Sequence, residues 1–269
     1  MSETTGGWAA AVRARIAGLG AWEWVAMVTV LAVAAAGLLY ATSGASASAP
    51  AGSDQFSKPQ REAIDAMVRQ YILDHPEIIP EAINRLQERE VAKLLDSNRT
   101  EIETPFAGAW TGNPNADVVL VEFFDYACPY CRASKADVDR LLAEDKKLKV
   151  VYRDFPVLGP ASEEAAMASL SAAQQSRYKP FHNAMFAAGR PSHEKVISAV
   201  RQAGLNEVQT ARDINANTYR GEIAKNLDLG RALGLTGTPA YIVGNRILSG
   251  AVGYDELKKA IAEARAKRS

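Results

Sequence analysis

The sequence is poor in cysteine and histidine, with two Cys and three His among 269 residues. Two cysteines cannot staple a disulfide scaffold, and a cysteine-only zinc site would need four. His75, His182 and His193 are scattered, at no ligand spacing from the thiols, so no metal site is expected. An excess of one charge is also missing, since 31 Lys and Arg balance 31 Asp and Glu without a block of like sign. A nucleic-acid partner would need a basic face, so none is expected. What the chain does have is apolar bulk. At 48% hydrophobic and 23% charged it reads as globular, long enough for one large domain or two small ones.

Long uncharged runs are absent except for one. Trp24–Ala41 carries no charge over 18 residues, follows Arg13 and Arg15, and precedes the next cation, Lys58. Such a run suits a membrane helix, and the charge bias puts everything after Thr42 on the outer side. Trp22, Trp24 and Tyr40 at its ends favour an uncleaved anchor. The alternative is a signal peptide cleaved at Ala45-Ser46-Ala47. Both readings require export. The leader occupies residues 1–47, and 48–56 continues a small, polar, flexible tether.

A helical arm is expected over 57–104. Ser57-Lys58-Pro59-Gln60 reads as a capping box, with Ile64, Met67, Val68, Tyr71 and Ile72 on one face. Asp74-His75-Pro76 breaks this helix and Pro80 can open a second. Ile79, Ile83, Leu86, Val91, Leu94 and Leu95 continue the stripe among charged residues. The stripe either packs on its own domain or joins copies of the chain, and a dimer or trimer would satisfy it.

The chemistry gathers after residue 118. Val118–Phe124 is a β-rich apolar run that leads through Asp125-Tyr126-Ala127 into Cys128-Pro129-Tyr130-Cys131 and a helix to about Asp145. Leu148–Phe155 follows as a second strand. A CxxC at the mouth of a helix between strands points to redox chemistry. The helix N-terminus would favour a thiolate at Cys128, while Cys131, one turn in, would be buried enough to resolve a mixed disulfide. A structural disulfide is a poor reading, because so short a loop constrains little of the unfolded chain. Glu122 is an acid in an otherwise apolar strand, and burying it is costly unless it is used or paired. An edge position facing water is its alternative.

From Pro156 to Gly234 only helices are expected. Glu163 and Glu164 follow Ser162 in a first turn, Pro180 opens a short helix, and Ser192 and Asn206 cap two more. Ala240–Val243 and Arg246–Ser249 flank Gly244-Asn245 as a hairpin, and Leu257 and Ile261 mark a closing helix. His182 reads as a packing residue beside Phe181 and Phe186.

These residues resemble the DsbA-type thiol–disulfide oxidoreductases. The likeness lies in Gly112-Asn113-Pro114, in Val121–Cys131, in Arg153-Asp154-Phe155-Pro156, in Phe181-His182 and in Gly237-Thr238-Pro239-Ala240. The arm looks most like that of ScsC-like members. The resemblance implies an α/β thioredoxin-like fold over 105–269, interrupted by a helical domain at about 157–234 and preceded here by the membrane helix and the arm. It implies a cis bond before Pro239 facing the CxxC, with Thr238, Pro129 and Tyr130 against the substrate. It also implies a proton-relay role for Glu122 beside Cys131. No cofactor is implied.

The best-known oxidase of the family carries a histidine where this chain has Tyr130, so an imidazolium beside the thiolate is missing. That, with Thr238 before the proline, pulls toward isomerase or reductase activity. The expected protein exchanges disulfides with cysteine-containing exported proteins, in the periplasm or at the outer face of the inner membrane, and works with a membrane redox partner. A copper-handling or assembly chaperone that uses the dithiol as a soft metal site is the alternative.

Overall fold

The computed structural model describes residues 56–267; the expected membrane or signal segment and nearly all of the tether lie outside the described residues. Among the described residues no helix is long and apolar enough to cross a membrane. The chain divides into two units, at Pro76 and Glu77.

In the first unit, α1 (Lys58–Asp74) starts as the capping box requires: the Ser57 N–H donates to Gln60 Oε1 at 2.8 Å. It buries none of its side chains, and Met67, Val68, Tyr71 and Leu73 are exposed.

The second unit begins with α2 (Ile78–Ser97) and α3 (Arg99–Glu103). Five strands follow in the spatial order β1, β3, β2, β4, β5: β1 (Trp110–Gly112), β2 (Val118–Phe124), β3 (Leu148–Asp154), β4 (Ala240–Val243) and β5 (Arg246–Ser249). Only β2 and β3 run parallel, with Val118 opposite Leu148 and Phe124 opposite Asp154. Antiparallel pairs extend the sheet on both sides. The β4–β5 hairpin turns at Gly244-Asn245, as its sequence requires.

Period-2 alternation sorts β2 between two cores. Leu120 and Phe124 face α4 (Pro129–Glu144) and α10 (Tyr254–Ala266), through Val138, Leu141, Leu257 and Ile261. Val121 and Phe123 face the other way, against Leu95, Ile102 and Leu229. The end of the arm is therefore part of this unit's core. Val91, Leu94 and Leu95 pack on the sheet, whereas Ile79, Ile83 and Leu86 at the start of α2 are exposed.

Between β3 and β4 lie five helices: α5 (Pro160–Gln174), α6 (Tyr178–Ala187), α7 (His193–Gln202), α8 (Glu207–Asn215) and α9 (Arg220–Ala232). Small residues let α5 sit at their centre, with Ala165, Ala168 and Ala172 fully buried. Ser192 and Asn206 cap α7 and α8, accepting from the Lys195 and Gln209 N–H groups. Two expected starts move. The helix expected at Ser162 begins at Pro160 with Gly159 as cap and buries Ser162, and the helix assigned to Pro180 starts at Tyr178. In both, Pro occupies the first turn, where no N–H is needed.

One short element carried no signal in the sequence: β1, three residues held by pairing with β3; α3 falls within the span expected for the arm. Gly112, which ends β1, has φ +99°, and an added Cβ would stand 2.3 Å from the Leu148 carbonyl oxygen. Only glycine fits there.

Candidate active site

Strand β2 delivers the chain to the site, and the turn after it aims Cys128 at the start of α4. Cys128 is the N-cap, its N–H donating to the Asp125 carbonyl at 3.0 Å, with Pro129 in the first turn. The unpaired amides and dipole of a four-turn helix therefore lie at Cys128, although its side chain makes no capping hydrogen bond to them. Pro129 and Tyr130 are exposed, Tyr130 by 66%. Cys131, one turn on, is fully buried, and both cysteines are unbonded thiols. Burial, chiefly, pushes the Cys131 thiol above its ordinary range, with the charges of Glu122 and Cys128 acting in the same direction.

Across from the helix start, the Cys128 thiol donates to the Thr238 carbonyl at 3.2 Å. The Thr238–Pro239 bond is cis. Thr238 is half-buried and Pro239 buried, and the Pro239 carbonyl accepts the Gly250 N–H at 2.8 Å. The chain thus brings Thr238 to Cys128 across 110 positions.

Glu122 lies in the interior, 3% exposed, not at an edge. Its strand register puts Tyr152 and Tyr241 beside it on the neighbouring strands, and the Tyr241 hydroxyl donates to Oε1 at 3.4 Å. Burial pushes its carboxyl up to about 8, against the pull of that bond and of the Lys135 ammonium. A group that holds its proton near neutral pH thus stands on the face of β2 that meets α4 and Cys131.

Two residues before Cys128 the chain inserts Tyr126 into the helical domain. Its hydroxyl meets His182 Nδ1 at 3.1 Å and donates to Ser169 Oγ at 3.2 Å. His182 is buried among Phe124, Tyr152 and Phe186, and burial holds its imidazole well below the ordinary range, hence neutral. Asp125, read in the sequence only as a connector, is buried and receives three backbone N–H groups. Its spacing, two residues ahead of an amide that precedes a helix cap, is the turn signal that could have found it. Among the described residues, no three His, Cys, Asp or Glu side chains come together as a metal site would require.

Comparison with known proteins agrees with this geometry. Residues 119–262 match the model of the DSBA-like thioredoxin domain, and residues 60–93 match that of the copper resistance protein ScsC N-terminal domain. A thioredoxin-like oxidoreductase from Silicibacter pomeroyi DSS-3 is 38% identical; the likeness covers 61% of this chain and 95% of that one, with a TM-score of 0.58. Proteus mirabilis ScsC in a transitional conformation is 28% identical over 79% of this chain and 98% of its own, with a TM-score of 0.60. Disulfide bond formation protein D of Bacillus subtilis is 23% identical over 56% of this chain and 73% of its own. The chain also matches the Na(+)/H(+) antiporter NhaA 3 of Salinispora tropica, 27% identical over 57% of this chain, but it spans only 24% of that protein's length. Matched over more than half its length by the domain model, the chain belongs to the DSBA-like thioredoxin family of thiol–disulfide oxidoreductases.

Proposed function

We propose that the protein is an exported thiol–disulfide oxidoreductase that exchanges disulfides with cysteines of exported proteins through Cys128 and Cys131. The observation that carries this reading is the pairing of an N-cap Cys128 with a buried Cys131, beside an acid that holds its proton near neutrality. In the oxidising direction a substrate thiolate attacks Cys128 of the Cys128–Cys131 disulfide. A substrate–Cys128 disulfide forms, and Cys131 leaves as a thiolate that takes a proton from Glu122. A second substrate thiolate then attacks the bound substrate sulfur and expels the Cys128 thiolate. The substrate gains a disulfide and the enzyme keeps the two electrons as a dithiol. A membrane redox partner reoxidises or reduces the pair, according to direction. Tyr130 and Pro129, with Thr238 and Pro239 opposite, form the surface against which the substrate lies.

Glu122→Gln tests the proton role. The variant should slow resolution of mixed disulfides by about tenfold or more near pH 7. Unchanged exchange across pH 5–8 would reduce Glu122 to a structural residue. A second readout is stability. The Glu122 carboxyl has an ordinary value of 4.5 and stands at about 8 when folded. Between these values the folded chain holds a proton that the unfolded chain has released, so this group's contribution to stability falls as pH rises. Relative to wild type, Glu122→Gln should gain on the order of a few kcal/mol between pH 4.5 and 8. Urea titrations at pH 5 and pH 8 measure the difference.

The arm supports an assembled enzyme that reshuffles wrong disulfides. Exposed Met67, Val68 and Tyr71 on α1 and Ile79, Ile83 and Leu86 on α2 form apolar stripes that a dimer or trimer would cover. Several Cys128 sites would then face one substrate at high effective concentration. A soluble fragment starting at Ser48 should be oligomeric by light scattering at tens of micromolar, and a monomer there contradicts the assembly. Removing residues up to Pro76 should impair reshuffling but spare thiol oxidation. A longer cut, through Leu95, would take a residue from the core of the second unit.

A further inference from the structure

The turn between β2 and α4 contains a buried carboxylate for which exchange at Cys128 has so far found no use. Asp125 Oδ1 accepts the Ala127 N–H at 2.7 Å, and Oδ2 accepts the Val157 and Leu158 N–H groups at 2.9 and 3.0 Å. Its own carbonyl takes the Cys128 N–H at 3.0 Å. One side chain therefore joins the loop that carries the nucleophile to the loop after β3, where Val157 and Leu158 are exposed. Three amide donors converge on the two oxygens of one carboxyl. The Ala127 amide that Oδ1 accepts leads directly into Cys128, so a carboxylate charge at this place would oppose a thiolate at the start of α4. The field of this charge also reaches Asp154 at the end of β3. Burial pushes the Asp154 carboxyl well above its ordinary range, and Asp125 adds to that push.

We propose that Asp125 is a positioning residue that fixes the two loops together and whose charge makes the Cys128–Cys131 pair less oxidising than the helix start alone would. The proposal deepens the reading of Cys128 and Cys131 as the exchanging pair and rests on it. Nothing is transferred to or from Asp125. It acts on how far the dithiol form, with Cys128 as thiolate, is favoured over the disulfide. A purely structural carboxylate would alter stability and leave that balance alone.

Two variants remove the charge and differ in how much of the latch they keep. Asp125→Asn removes the charge and offers one oxygen to two sets of donors. Asp125→Ser removes the charge but keeps a short acceptor for the Ala127 N–H. The full chain is equilibrated with reduced and oxidised glutathione, and the dithiol fraction of folded protein is read by alkylation and mass. Both variants should shift the equilibrium toward the dithiol by about three- to tenfold, tenfold being about 30 mV. Both should also alkylate at Cys128 faster at pH 6, because more thiolate is present. Constants within about 1.5-fold of wild type, or a shift toward the disulfide, overturn the inference. A wild-type chain that forms no dithiol–disulfide equilibrium with glutathione instead defeats the reading beneath it, and the wild-type control keeps the two failures apart.

Discussion

Cys128→Ser should lower thiol–disulfide exchange by about a thousandfold or more, because a serine hydroxyl at the start of α4 supplies no thiolate. The loss should come without loss of the fold: the thiol makes one hydrogen bond, to the Thr238 carbonyl, and a hydroxyl can make it too. Cys131→Ser should behave differently. Cys128 still attacks, but nothing lies one turn on to resolve the product, so substrates stay covalently attached. A non-reducing gel of Cys131→Ser incubated with a disulfide-bonded substrate should show a ladder of mixed disulfides that reductant collapses. If Cys128→Ser retains half the wild-type exchange rate, or if the ladder forms on Cys131 when Cys128 is absent, the assignment of nucleophile is wrong.

The second large effect concerns the fold. Arg153 on β3 is a cation with 1% of its surface exposed. Nη1 donates to Asn226 Oδ1 at 3.0 Å and to Glu222 Oε1 at 3.4 Å, both on α9. Nη2 donates to the carbonyls of Glu101, Ile102 and Thr104, the last two at 3.3 and 2.7 Å. Those carbonyls end α3, where the helix has no partners of its own for them. The guanidinium therefore fastens the end of the arm to the helical insertion through the sheet. Arg153→Met leaves several buried acceptors and the Glu222 carboxylate without a donor, at a cost of about 3–5 kcal/mol. Thermal unfolding should shift down by about 10 °C or more. Arg153→Lys should recover little of this, since an ammonium cannot span the fork. A drop below about 2 °C for Arg153→Met would mean that water replaces the clamp.

Arg153 also illustrates where sequence reasoning stops. In the one-dimensional pattern it is a charged residue at the end of an apolar strand, a place that usually faces solvent. Only the convergence of α3 and α9, elements far apart in the chain, makes it a buried connector. Asp125 is similar, since two of its three donors arrive from the loop after β3. Glu122 was legible for the opposite reason: an acid flanked by Leu120, Val121, Phe123 and Phe124 is conspicuous wherever it points. The strands β2 and β3, the Gly244-Asn245 hairpin and the caps at Ser57, Ser192 and Asn206 were legible because their signals are local. The three-residue β1 was not, because a strand that short is defined by its partner. The arm lies between these cases. Its apolar stripe was plain, but nothing in it marked Val91, Leu94 and Leu95 for the sheet and Ile79, Ile83 and Leu86 for the surface.

The reduction potential of the Cys128–Cys131 pair tests the central claim most directly. An N-cap cysteine without a neighbouring imidazolium, one turn from a second and buried thiol, should give a pair poised between roughly −230 and −120 mV, where glutathione can reduce it and substrates can be oxidised by it. Equilibration of the soluble fragment in glutathione buffers, read by alkylation and mass, would give the value. A potential below about −300 mV, the range of disulfides that resist glutathione, would make the bond structural and would contradict an exchange enzyme.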